Sequence, residues 1–178
     1  MSAPVETGER SDARPVLLAS AVDALIVGAW FVVAGLVGAV VWWQQTPLPK
    51  VVRSGDGATL APEELVKQVS TDGWFFVVAA VGGLLSGVIL LAWRRRDPLL
   101  MVVLVVLGAG LASWLMVHVG LALGPDKELS ALKGMPDGAS VSMQLKLHAP
   151  GVAWIWPVGA ALGALLHLWV LKKPTPGE

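Results

Sequence analysis

The sequence predicts an all-α membrane protein, a four-helix transmembrane bundle with a small extracytoplasmic α/β cap formed by two loops. Three observations lead there. Four apolar segments, about 16–43, 74–93, 98–123 and 150–171, each reach or exceed the ~20 residues needed to cross a ~30 Å hydrocarbon core. The turn between the second and third, Arg94-Arg95-Arg96-Asp97, gathers basic residues in a chain poor in charge. The two longer connections, 44–73 and 124–149, carry helix-start and strand patterns of their own. In lipid, backbone polar groups must pair within their own segment, so each apolar segment is a helix. A soluble bundle would show polar faces at helical period, and these segments do not.

Composition agrees. Charged residues make up 15% of the chain and the net charge is zero, which argues against a nucleic-acid partner. The absence of cysteine removes disulfides, thiolate metal sites and a cysteine nucleophile. There are nine tryptophans and no tyrosine. Tryptophan in quantity suits a membrane interface, where an apolar ring carries one polar N–H.

Residues 1–15 read as a cytoplasmic tail, expected to be disordered, in which Glu6, Glu9 and Asp12 lie beside Arg10 and Arg14. The tail and the long run after it do not form a cleavable signal, because "WWQQTPLP" lacks a small-x-small cleavage site. Segment one, 16–43, is dotted with Gly28, Gly35 and Gly38. In loop 44–73, Pro62 with Glu63 and Glu64 marks a helix start, and Leu65, Val66 and Val69 form a short apolar stripe. The stripe suggests a helix lying on the membrane or the bundle. Asp72, before Gly73 and Trp74, reads as the N-cap of segment two, 74–93.

Gly83 and Gly87 in segment two, and Gly159 and Gly163 in segment four, are four apart, a spacing that lets helix backbones approach closely. Packing within one chain is favoured over a dimer face, because four helices need partners. Segment three, 98–123, holds Gly108 and Gly110. In loop 124–149, "VSMQLKLH" alternates strictly from Val141 to His148, a strand period. Its partner should be "LPKVVRS", near Lys50 to Arg53. Segment four, 150–171, contains Pro157, expected to remove a backbone bond to Ala153 and kink the helix. Residues 172–178 form a cytoplasmic tail that begins with Lys172 and Lys173.

Short arginine-rich turns stay in the cytoplasm, so Arg94, Arg95 and Arg96 place both termini inside the cell membrane and both long loops outside. A raw count of basic residues barely favours this, since each loop carries three; their density in the turn decides. Trp42, Trp43, Trp74, Trp154 and Trp156 then fall at outer helix ends, and Trp93 and Trp169 at inner ends, as two interfacial belts.

Two residues stand out as candidate polar groups in the membrane. Asp23 lies about two turns inside if segment one begins at Val16, where ionisable groups are costly and often functional. If the span begins at Ala24, twenty apolar residues remain and Asp23 sits at the inner interface near Arg94 to Arg96. The second placement is preferred, with a structural role for Asp23 and little effect expected from Asp23→Asn on folding. His118, five residues before the outer end of segment three, could respond to protons, serve as a ligand, or simply bond a neighbour near the headgroups. His167 should snorkel to the inner interface, and His148 lies on the polar side of the strand. Three histidines on three elements, with no carboxylate cluster at ligand spacing, give no metal or cofactor assignment. No phosphate-binding glycine loop, HExxH or GxSxG is present, and nothing singles out a catalytic nucleophile.

The "TDGWFF" opening of segment two, its "GGLLSG" run, "RRRDPLL", "LGAGLASWL" and "APGVAWIWPVGAAL" occur in order over roughly Asp72 to Leu162. In this the chain resembles an uncharacterised actinobacterial family of four-span integral membrane proteins, a domain of unknown function. The resemblance implies the topology and brings no activity or catalytic residues.

Three function classes follow. The first is a non-enzymatic accessory or assembly subunit of a cell-envelope complex, whose partners are the lipid bilayer and other membrane proteins. It is preferred for its glycine-lined helices and structured loops. The second is a small transporter or channel component, for which only Asp23, Ser86, Ser113 and His118 offer polar groups. The third is a membrane enzyme acting on lipid-linked substrates, which would need a convergent acid or histidine cluster.

Overall fold

The computed structural model describes residues 13–55, 57–94, 97–125 and 135–171. In chain order these form α1 (Ala13–Gln45), β1 (Lys50–Ser54), β2 (Gly57–Leu60), α2 (Pro62–Trp93), α3 (Pro98–Leu123), β3 (Ser140–Ser142), and a 3₁₀ turn (Pro150–Trp154) leading into α4 (Ile155–Leu171). Among the described residues, four helices are long and apolar enough to cross a membrane. The three strands make one small sheet at the end of the bundle opposite the arginine turn. The chain is therefore an all-α bundle with a small α/β cap.

The helices pack mainly as two pairs, α1 on α3 and α2 on α4. Glycine permits the second pairing. A Cβ on Gly83 would lie 2.5 Å from the Trp156 carbonyl oxygen, and one on Gly163 would overlap the Leu84 carbonyl. Without a hydrophobic driving force between helices in lipid, such backbone approach supplies the dispersion contacts that hold them together. The small-residue pairs of segments two and four thus meet each other within one chain, as the sequence analysis favours.

α2 departs most from expectation. The loop helix beginning at Pro62 and the span beginning at Trp74 are one continuous helix of 32 residues. At 1.5 Å per residue it is roughly 48 Å long, well beyond the ~30 Å hydrocarbon core. It is therefore longer by roughly 18 Å than one crossing needs, and its N-terminal part is joined to the sheet through Glu64. Nothing between Pro62 and Trp74 stops the helix: Gly73 costs about 1 kcal/mol relative to alanine, and restarting a helix would require a fresh, unfavourable nucleus. Asp72 is thus inside a helix and is not its N-cap. The stripe Leu65, Val66 and Val69 does not rest on the bundle either; Val66 is 71% and Val69 74% exposed.

The sheet holds β1 at its centre, with β2 and β3 antiparallel on either side. The expected pairing is present, with Val51 opposite Val141. Strand β3 stops at Ser142 instead of following the alternation on to His148, and the reason lies in its partner. Upstream of β1 are Pro47 and Pro49, which have no N–H to donate; Met143 N–H makes the last bond, to the Pro49 carbonyl at 2.7 Å. The chain then leaves the sheet and buries Leu145 beside Gly120 and Gly124 at the end of α3. The hairpin from β1 to β2 was unanticipated; it turns through Gly55, at φ +60°, a conformation that favours glycine. A third strand gives the sheet the extra pairing that two strands lack.

α1 starts at Ala13, within the expected tail, and Pro15 is tolerated because first-turn N–H groups have no helical partner. Residues 1–12, Arg95, Arg96 and the tail 172–178 lie outside the described residues.

The tryptophan belts need correction at two positions. Trp42 and Trp156 are core residues. Trp42 meets Phe75 edge to face, with centroids 5.1 Å apart, and its Nε1 donates to the Thr71 carbonyl at 2.9 Å. A carbonyl has two lone pairs, so Thr71 can accept this bond in addition to a helical one. The Trp156 ring fits against Gly38 and Gly82, where a side chain would collide with it. Trp43, Trp74 and Trp154 at the cap end, and Trp93 and Trp169 at the other, are exposed as expected.

Pro157 falls at the start of α4, where a missing N–H is tolerated. The span opens as a 3₁₀ turn and becomes α-helical only at Ile155, so Pro157 sits in the first α-turn.

Candidate functional site

Three clusters of polar or reactive groups bear on function. The first is at the arginine-turn end. Asp23 is buried, with its side chain 8% exposed, and its Oδ1 lies 3.0 Å from an Arg94 guanidinium nitrogen. Arg94 immediately follows the last residue of α2, so Asp23 is level with the turn, in line with the interfacial placement. Asp97 closes the turn by accepting from Leu99 N–H and Leu100 N–H, both at 3.1 Å, which caps α3. Arg94 lies 5.8 Å over the Trp93 ring. The Asp23–Arg94 pair ties α1 to the α2–α3 turn by charge. Arg95 and Arg96 lie outside the described residues.

The second cluster is in the cap. Glu64 accepts from Lys50 N–H at 2.9 Å and pairs with Lys67 Nζ at 2.7 Å. The Lys67 ammonium, then the Lys50 N–H, hold the Glu64 carboxyl below the usual carboxylate range. Eight residues along the same helix, Asp72 accepts from His148 N–H and Ala149 N–H, each at 2.9 Å. The N-terminal part of α2 therefore carries two carboxylates that seize backbone N–H groups, one at the start of β1 and one at the start of the fourth span. Asp72 does cap a chain start, but that of another segment. The sequence carries the acids without naming their partners, because those lie 14 and about 76 residues away.

The third cluster lies between α3 and α4. His118 Nδ1 donates to the Trp114 carbonyl at 2.8 Å, and the two rings lie 4.3 Å apart at 31°. Of the readings open for His118, this matches the one in which it bonds a neighbour. Beside it is a groove of about 480 Å³, whose lining includes Gly110, Ser113, Trp154 and Pro157. Its floor explains Pro157. The proline has no N–H for the Ala153 carbonyl, and Ser113 Oγ donates to that carbonyl instead, at 2.6 Å. Sequence analysis missed the groove; its signal was Gly110, a helix glycine with open space where a Cβ would be.

The remaining histidines are scattered. His148 is exposed, its Nδ1 3.8 Å from Asp72. His167 Nε2 is buried without a hydrogen bond among the described residues, so the ring does not snorkel. Among the described residues, no three histidines or acids come together in a group that could hold a metal ion. Nor do the four polar residues considered for transport form a file. Ser86 accepts from Trp30 Nε1 at 3.0 Å, Ser113 bonds Ala153, and Asp23 and His118 lie towards opposite ends.

No protein-family model matches the chain, and no curated protein or solved structure matches it.

Proposed function

We propose that this multi-pass membrane protein is a non-enzymatic accessory or assembly subunit of a cell-envelope complex in the inner or plasma membrane. Its termini are cytoplasmic and its cap is outside. The observation that carries this reading is the apolar stripe Leu65, Val66 and Val69, near the cap end of α2, which no described residue covers. Outside lipid, a helix face of this kind is an interaction surface. The local bonding of Ser86 and Ser113 gives further support over a transport role, which needs polar groups free to meet a solute. Membership of the four-span family that the motifs resemble is part of the same proposal.

The test is a photoreactive amino acid placed at Val66 or Val69 in living cells, with Leu107 on α3 as the lipid-facing control. A discrete protein adduct from the stripe alone is expected. Adducts to lipid only, from all three positions, would refute the reading. Orientation is tested separately. The native chain lacks cysteine, so single cysteines at Ser54 and Ser140 can be labelled with an impermeant maleimide. Labelling in intact cells is expected, and labelling only after lysis would reverse the topology.

A further inference from the structure

The groove between α3 and α4 has a second set of properties, independent of the α2 stripe. Its walls come mainly from two of the helices long and apolar enough to cross a membrane, so in a bilayer lipid chains would reach it laterally. From Gly110 to His118 is eight residues, roughly 12 Å along α3, close to the ~15 Å depth of one leaflet of a 30 Å core. The volume, about 480 Å³, falls within the ~300–1,000 Å³ usual for small-molecule sites. A whole helix, ~10–12 Å across, is too wide for it.

Its chemistry is graded along its length. At the floor, Gly110 leaves open space, and the carbonyl freed by Pro157 is already bonded by Ser113, so the polar groups there are matched. Methylene groups can lie against such a floor without stranding a donor or acceptor. Partway up, the exposed ring of Trp114 lines the groove, and towards the cap the exposed ring of Trp154 flanks the opening, an amphipathic group suited to the headgroup boundary. The His118 Nδ1–H is engaged by Trp114, leaving Nε2 as its other polar atom. Leu147 and Pro150, from the strap pinned by Asp72, complete the upper wall.

We propose that this groove holds one acyl chain of a phospholipid from the leaflet on the cap side, with the tail end at Gly110 and the ester region at Trp154. Seating the chain there fixes one lipid against the α3–α4 seam, where the two helices are joined by Ser113.

The test uses the full chain in nanodiscs that contain a phospholipid with a diazirine near the end of one acyl chain. Adducts are mapped by mass spectrometry after illumination. The floor around Gly110 and Pro157 should be labelled roughly five-fold more than the lipid-facing side of α2 around Val77 to Leu85, a preference of about 1 kcal/mol over bulk lipid. Gly110→Leu fills the floor without a backbone clash and should abolish the enrichment while leaving the melting temperature in place. Trp154→Ala removes an exposed rim ring and should at least halve the enrichment, which keeps the test valid if the glycine variant folds poorly. Even labelling of all lipid-facing helix surfaces, or enrichment unchanged in both variants, would overturn the proposal.

Discussion

Ser113 Oγ lies 2.6 Å from the Ala153 carbonyl oxygen, in place of the bond that Pro157 cannot make. One residue on α3 thus repairs a defect built into α4, and the two changes are coupled. Ser113→Ala removes this bond from an apolar groove, with an expected loss of about 1–3 kcal/mol. Pro157→Ala supplies an N–H that can bond Ala153 directly. The double variant should therefore lose less stability than Ser113→Ala alone, read as a melting temperature in detergent. Strict additivity of the two single effects would show that the serine and the proline act independently.

Asp23 and Arg94 form a pair in which the carboxylate is the more buried partner. Asp23→Asn keeps the shape but removes the charge that Arg94 faces. Because Arg94 is 23% exposed and can swing towards water, the loss should be about 1–2 kcal/mol, below the ~3–5 kcal/mol of a fully buried pair. That exceeds the negligible effect expected from sequence alone. Exchanging the two residues, Asp23→Arg with Arg94→Asp, should recover stability relative to either single charge reversal; a swap no better than the worse single variant would exclude direct pairing.

The cap should loosen in acid. Glu64 has a lowered pKa in the folded chain, so its contribution is fully present above the ordinary value of 4.5 and is lost as pH falls through the lower folded value. Hydrogen exchange at the Lys50 amide, which Glu64 holds, should therefore show reduced protection below about pH 4.5, after correction for the intrinsic pH dependence of exchange. In Glu64→Gln this part of the profile should flatten. An identical acid dependence in the variant would assign the loosening to another group.

Gly83 and Gly73, on the same helix, should respond in opposite directions. A side chain at Gly83 meets the backbone of α4, and Gly83→Val should destabilise by at least about 1–3 kcal/mol. A Cβ at Gly73 meets nothing within 4 Å, so Gly73→Ala should stabilise by about 0.5–1 kcal/mol through helix propensity. Thermal unfolding of the two variants side by side checks both signs.

The spans were legible because lipid allows few alternatives: length and apolarity define a helix, and Gly83, Gly87, Gly159 and Gly163 sit at a spacing that specifies close packing. The pairing of β1 with β3 was legible from the alternation around Val141. Boundaries set by long-range contacts were not. Asp72 has the residue type and setting of a helix cap, but its N–H donors come from His148 and Ala149, which no local pattern could nominate. Trp42 and Trp156 occur where interfacial tryptophans are expected, and only the glycines opposite Trp156 and the carbonyl beside Trp42 draw them inward. The candidate groove was invisible because it is made by what Gly110 and Pro157 lack.

The unbroken course of α2 makes it a lever. Roughly 18 Å of it, at 1.5 Å per residue, is surplus to one crossing, and both straps of the cap are fastened to that arm by Glu64 and Asp72. A thinner bilayer is accommodated by tilting of its helices, and a change of about 10° in α2 would carry the far end of the arm through about 3 Å. On this geometry a change in membrane thickness would move the sheet.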